Sequence, residues 1–204
     1  MAIAKRKKRF FDVEIPIISK TTQLIGFELK DVDGRIIKYD LTRLLRGKNT
    51  LIHTKVKVEE DKATSTPVKI ELLPNFLKRI VRKGSDYVED SFSTNCTNAQ
   101  LQIKPLLVTR RRVSRAVLNS LRKKVQEELI EYVKSRDTIT IFEDILKNKL
   151  QKELSLTLKK IYPLSVCEIK TLKVGKSIEQ PKADKKEIAK KESKEEKVEE
   201  TLKE

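Results

Sequence analysis

Thr50-Leu51-Ile52-His53-Thr54-Lys55-Val56-Lys57-Val58 decides the fold. Ile52, Thr54, Val56 and Val58 fall on one side of this stretch, and Leu51, His53, Lys55 and Lys57 on the other. A period of two belongs to a strand with one face on a core. Towards the N-terminus, Val13-Glu14-Ile15 alternates before Pro16. Leu24 to Leu29 is strand-like, with Gly26 a candidate bulge. Asp31-Val32-Asp33-Gly34 carries a turn signal ahead of a strand from Arg35 to Tyr39. Towards the C-terminus, Glu59 to Thr66 reads as a polar loop, and Val68, Ile70 and Leu72 alternate into Pro74. Asp86 to Thr94 and Leu101 to Thr109 are two further strands, joined by Asn95-Cys96-Thr97-Asn98.

Helices break up and then follow the strands. Asn75 to Lys83 is short, apolar at Phe76, Leu77, Ile80 and Val81, and stops at Gly84. A long helix is expected from about Arg111 to Ser135, and another over Ile139 to Leu158 with a break near Asn148. A last strand covers Val166 to Val174. We find no internal repeat. Strands first and helices later predict an α+β fold, with a mostly antiparallel sheet or β-barrel core and flanking helices.

The 204 residues suit one domain with appendages. Residues 1–11 read as a basic N-terminal arm, 12–175 as a single α+β RNA-binding domain, and 176–204 as a charged tail. The tail holds nine lysines and nine acids and is nearly free of apolar bulk. Such a segment cannot bury enough surface to offset its ordering entropy, so disorder or a solvated extension is expected. The whole excess charge of +16, with a pI near 9.7, therefore sits in the rest of the chain. Charge of that size argues for a polyanionic partner, most often nucleic acid.

Several classes fall on composition. No apolar run approaches the ~18–20 residues that span a bilayer, and none follows the basic opening as a secretory signal would require. No membrane is expected. Cys96 and Cys167 are far apart and read as free thiols. His53, the only histidine, reads as a packing or surface residue. Gly47-Lys48-Asn49 lacks both the earlier glycine and the final hydroxyl of a phosphate-binding loop. Glu168-Ile169-Lys170 matches part of a nuclease site, but needs Asp86 or Asp90 brought beside it to hold a metal. No catalytic residue, metal, cofactor or small-molecule substrate is expected.

The binding signal is concentrated. Ser91 to Gln126 contains no acid and eight cations. Candidate RNA contacts are Arg110, Arg111, Arg112, Arg115, Arg122, Lys123 and Lys124, together with the arm's Lys5, Arg6, Lys7, Lys8 and Arg9. On a helix begun at Arg111, Arg111, Arg115 and Arg122 share one sector, and Val113, Val117 and Leu121 lie opposite. The guanidinium fork donates two parallel hydrogen bonds to phosphate. A merely solvated face normally mixes signs for i,i+4 pairing, and this one does not until Glu127. Lys78-Arg79 and Arg82-Lys83 form a smaller cluster, either a second phosphate contact or a solvated face. A free RNA-binding regulator or chaperone is the alternative. It would be expected to gather aromatics into a stacking platform, and here they are scattered.

Four places resemble one family. Phe10-Phe11-Asp12-Val13 with Pro16 is similar to an aromatic-aromatic-Asp-Val…Pro opening. Gly34-Arg35-Ile36 resembles a Gly-Arg-Val strand start. Thr109, Arg112, Arg122 and Lys123 match a Thr…Arg…Ile-Arg-Lys stretch. Ile161-Tyr162-Pro163-Leu164 matches Ile-Tyr-Pro-Leu, with a similar strand through Glu168 and Lys170. In this order they resemble the small ribosomal subunit proteins of archaea and eukaryotes called the S-three-a-e or e-S-one family. The chain's compactness suggests an archaeal source. The resemblance implies a structural role in translation, with a β-barrel core, on the platform of the cytoplasmic small subunit near the mRNA exit and the rRNA 3′ end. It implies small-subunit rRNA and neighbouring platform proteins as partners, mRNA near the exit as a further one, and no enzymatic activity. RNA would be read through shape, 2′-hydroxyls and phosphates.

Overall fold

The computed structural model describes residues 7–59 and 62–177. Among these residues nine strands join in one sheet: β1 (Arg9–Ile15), β2 (Lys20–Gly26), β3 (Ile36–Asp40), β4 (Thr50–Glu59), β5 (Lys62–Leu72), β6 (Tyr87–Glu89), β7 (Phe92–Asn95), β8 (Ala99–Thr109) and β9 (Leu164–Ser177). Four α-helices accompany them: α1 (Pro74–Ile80), α2 (Arg115–Lys134), α3 (Thr138–Leu146) and α4 (Lys149–Leu158). β3, β4, β5, β9 and β8 lie side by side in that order. β1 and β2 extend from the first residues of β5, while β6 and β7 share the outer edge of β8. Every pairing is antiparallel except β1 with β5, where Val13 faces Ala63 and Glu14 faces Thr64. No pairing among the described residues joins β2 or β3 to β6 or β7. Of the two expected forms, sheet or barrel, the protein takes the open sheet.

The alternation of residues 50–58 holds: Ile52, Thr54 and Val56 are buried, and Lys55 and Lys57 are exposed. Of the polar loop expected over Glu59 to Thr66, Glu59 ends β4 and Lys62 to Thr66 start β5, with residues 60 and 61 outside the described residues. Ala63 and Ser65 point inward, Ser65 Oγ donates to Glu14 O at 3.1 Å, and Thr66 Oγ1 donates to Lys55 O at 3.3 Å. These hydroxyls make the segment look like a loop while binding it to its neighbours. The strand expected over Leu24 to Leu29 stops at Gly26, and Leu29–Val32 is a 3-10 turn. Gly26 is not a bulge, because the β1–β2 register is continuous. It is a close approach: a Cβ there would sit 3.1 Å from Val32 Cγ2 and 3.2 Å from Glu28 O.

The strand expected over Asp86 to Thr94 is split in two at Asp90-Ser91. Pro105 of β8 lies opposite this break, between the Glu89↔Leu106 and Phe92↔Ile103 pairs. Without an N–H, proline fits where the neighbouring strand asks for no donor. The last expected strand extends at both ends, from Leu164 to Ser177. At the other end β1 begins at Arg9, so Arg9, Phe10 and Phe11, assigned to the arm, pair with β2. Residues 178–204 of the expected tail lie outside the described residues.

Helices α2, α3 and α4 pack on the sheet. α2 contains no glycine or proline and is rich in Leu, Arg, Lys and Glu, all good helix formers. Its buried stripe, Leu121, Val125, Leu129 and Val133, recurs every four residues. Each such side chain contributes about 1.5–3 kcal/mol by leaving water. α3 adds Ile141, Phe142 and Ile145, and α4 adds Leu150, Leu154 and Leu158. They meet Ile52, Ile70, Leu101, Ile103, Leu107, Ile169 and Leu172 from the sheet in one core. The break expected near Asn148 is there, with that residue at φ 56°. A second, smaller core of Val13, Val32, Ile37, Val56 and Ala63 sits under the β1–β2 hairpin.

Candidate nucleic-acid interface

The long helix starts four residues later than expected, at Arg115. Arg110, Arg111 and Arg112 therefore precede it, on the loop between β8 and α2, and are exposed. Arg111 does not share a helical row with Arg115 and Arg122. The loop leads directly into α2, where Arg115, Arg122 and Lys123 are exposed on the first turns.

A buried threonine fixes this loop. Thr109 ends β8 with no exposed surface. Its N–H donates to Asp86 O at 2.9 Å, and its Oγ1 accepts the Asp86 N–H at 3.0 Å. The single hydroxyl proton is shared between Asp86 O and Arg111 O, both at 2.8 Å. The Asp86 carboxylate reaches over the loop, where its Oδ2 accepts the Val113 N–H at 2.8 Å. Strand end, loop and helix start are thus tied to one residue 23–27 positions earlier in the chain. The sequence singled out Thr109 only through a resemblance, and weighed Asp86 only as a metal ligand.

The charges on this surface are almost all free. Arg110, Arg111, Arg112, Arg115 and Lys123 make no ion pair with a described residue, and Arg122 reaches only Asn119 Oδ1, at 3.5 Å. Lys124 is different. Its ammonium lies 3.0 Å from Glu128 and 3.7 Å from Glu127, and these carboxylates hold its pKa above the ordinary lysine value. Ser114 caps α2 without a side-chain hydrogen bond, and the first turn carries no acid.

Of the arm, Lys5 and Arg6 lie outside the described residues. Lys7, Lys8 and Arg9 are exposed, and Lys8 Nζ stands 5.7 Å from the centroid of the Phe27 ring. Lys7, Lys8 and Arg9 stand at the β1–β2 end of the sheet. The structure does not join them to the Arg110 surface.

The residues weighed for enzyme chemistry have structural partners. Glu168 Oε2 accepts from Lys48 Nζ at 2.6 Å, and Lys170 Nζ donates to Glu89 at 2.8 Å and 3.0 Å. His53 Nε2 lies 3.0 Å from Glu71 Oε1. Burial pushes the Cys167 thiol up to about 12, reinforced by Glu168 and opposed by Lys48. No described helix is long and apolar enough to cross a membrane.

Comparison with known proteins gives one answer. The model of the Ribosomal S3Ae family matches residues 4–177. The small ribosomal subunit protein eS1 of Haloarcula marismortui is 26% identical over 182 residues, which is 83% of this chain and 84% of that protein. The protein of the same name from Nanoarchaeum equitans is 25% identical over 78% of this chain and 84% of its own length. That from Pyrobaculum arsenaticum is 26% identical over 68% of this chain, a stretch that spans 64% of that relative. The family match runs from the basic arm through the last strand and takes in the Thr109 clamp and the arginine loop, so the chain belongs to the Ribosomal S3Ae family.

Proposed function

We propose that this chain holds small-subunit rRNA through the arginine loop and the first turns of α2. As a ribosomal protein of the small subunit it is structural and not an enzyme, and it works on the cytoplasmic ribosome. One observation carries the reading: Arg110, Arg111, Arg112, Arg115 and Lys123 are exposed and unpaired with any described residue, on a loop pinned by Thr109 and Asp86. A surface kept for solubility would interleave carboxylates as i,i+4 partners, as the chain does from Glu127 onward. Contacts from such a row go to phosphates and fix position rather than read sequence.

Within the subunit, the family resemblance supports a place on the platform near the mRNA exit and the rRNA 3′ end, against neighbouring platform proteins and within reach of mRNA. The arm cations Lys5 to Arg9 then thread onto the phosphate backbone. Residues 12–175, with the ends of β1 and β9 that flank them, act as one RNA-binding domain.

The test is sedimentation of tagged wild-type protein and of Arg111→Glu with Arg115→Glu in source cells. Wild type is expected with small subunits after a high-salt wash, near one copy each. The variant, folded by circular dichroism, is expected near the top of the gradient. A variant that stays on subunits refutes the assigned surface. Wild type at the top with RNA binding retained makes the protein a free RNA binder.

A further inference from the structure

Two basic segments that are far apart in sequence line a single cleft. It lies between the end of α1 and the β8–α2 loop, with a volume of about 550 Å³. Arg79, Arg82 and Lys83 line it from the α1 side, Arg110 from the loop, and Ser85 and Ser165 complete its polar surface. No carboxylate among the described residues lines it.

The cluster at 78–83 divides within itself. Lys78 and Arg79 sit in the last turn of α1, where cations favour the helix end. Arg79 is also spoken for: its Nη2 donates to Gly47 O at 2.8 Å, and its guanidinium lies over the Phe76 ring at 5.2 Å. Arg82 and Lys83 lie past the helix end, are exposed, and pair with no described acid. The turn that carries them is shaped for its path. Gly84 has φ +90°, and Ser85 Oγ donates back to Arg82 O at 2.8 Å. The next residue is Asp86, which is bonded to Thr109. The clamp that sets the arginine loop therefore also sets the distance between the two sides of the cleft.

We infer that this cleft is a second seat for the RNA phosphodiester backbone, an inference that rests on the reading of the chain as an RNA binder. Three unpaired cations around one concavity raise its positive potential. Arg110 belongs both to the cleft and to the α2 surface. A strand held at Arg111 and Arg115 is continued past Arg110 to Arg82 and Lys83, and its phosphates neutralise all of them.

The experiment measures RNA affinity against salt for wild type, Arg82→Gln with Lys83→Gln, and Arg111→Glu with Arg115→Glu. A single-stranded RNA probe is followed by fluorescence anisotropy. Neutralising two phosphate contacts is expected to reduce the salt slope of binding by about 1.4, at about 0.7 per contact on a single strand. The unfolding curve is expected to stay unchanged. Ser165→Asp, which sets a carboxylate in the cleft, is expected to weaken binding as well. A wild-type slope in the glutamine variant, or unchanged affinity in Ser165→Asp, overturns the inference and leaves an acidic protein segment as the occupant. If the Arg111 and Arg115 variant still loses binding in that case, the proposed function stands without the cleft. If it too binds as wild type, both fail.

Discussion

Replacing Thr109 by valine removes one oxygen and keeps the shape. In the native protein that oxygen accepts the Asp86 N–H at 3.0 Å and shares its proton between Asp86 O and Arg111 O. Asp86 O keeps the Thr109 N–H at 2.9 Å, so it is not orphaned. Arg111 is exposed, so water can serve its carbonyl. The Asp86 N–H is left beside a methyl group in a half-buried site, and an unsatisfied donor of this kind costs about 1–3 kcal/mol. For a domain of this size each kcal/mol moves Tm by about 2–4 °C, so a loss of about 2–12 °C is expected. Serine keeps the hydroxyl and loses one buried methyl, worth about 0.8 kcal/mol. The assay is thermal circular dichroism of Thr109→Val and Thr109→Ser, with amide exchange at Val113 and RNA affinity on the same samples. Valine is expected to lower Tm, speed Val113 exchange and weaken RNA binding, and serine to keep the last two near wild type. A valine variant with unchanged Tm and unchanged Val113 exchange refutes the clamp.

Two further outcomes concern titration and reactivity. The Lys69 ammonium, against the opposing effect of burial and with help from His53, holds the Glu71 carboxyl below the ordinary glutamate value. A group depressed by folding contributes stability that is full above its unfolded pKa of about 4.3 and lost as pH falls through the folded value. Wild type is therefore expected to lose Tm more steeply than Glu71→Gln between about pH 5 and pH 3, and parallel curves would contradict the pairing. With the Cys167 thiol pushed up to about 12, alkylation by iodoacetamide at pH 8 is expected to be far slower at that residue than for a free thiol, as read by mass spectrometry. Rapid modification at Cys167 would contradict its burial.

The fold was legible where side chains alternate between grease and charge. Residues 50–58 declare a strand because lysines mark the outside and Ile52 and Val56 the inside. β5 hid its start because its inward positions are Ala63 and Ser65, whose place comes from β1 and β4 rather than from hydrophobicity. The start of α2 was misplaced because arginines suit a helix as well as a loop. What stops the helix there is Asp86 taking the Val113 N–H, a contact 27 residues apart that no local pattern encodes. The charge of the candidate interface was legible as a run without acids. Its geometry was not, since the union of Arg82 and Arg110 in one cleft depends on the same distant contact. The pairing of Lys124 did leave a signal: Glu128 follows it at the i,i+4 spacing of helical ion pairs.

The start of α2 runs against the electrostatics of an isolated helix. The N-terminal end of a helix carries partial positive charge, and acids there stabilise by about 0.3–1 kcal/mol each. Here the first turn holds no acid, the cap makes no side-chain bond, and Arg115 opens the helix behind three more arginines. Those cations repel the dipole and one another, and folding gains nothing from them. The protein meets the cost elsewhere, in the buried stripe of α2 and in the Asp86 carboxylate, which holds the chain just ahead of the helix by accepting the Val113 N–H. An anion laid over this corner reverses every one of these terms at once. It meets the dipole, the free N–H groups of the first turn and the guanidinium forks together. On the proposed reading the corner is strained when bare and relieved by phosphate, which is the energetic form expected of a component that works inside an assembled ribonucleoprotein.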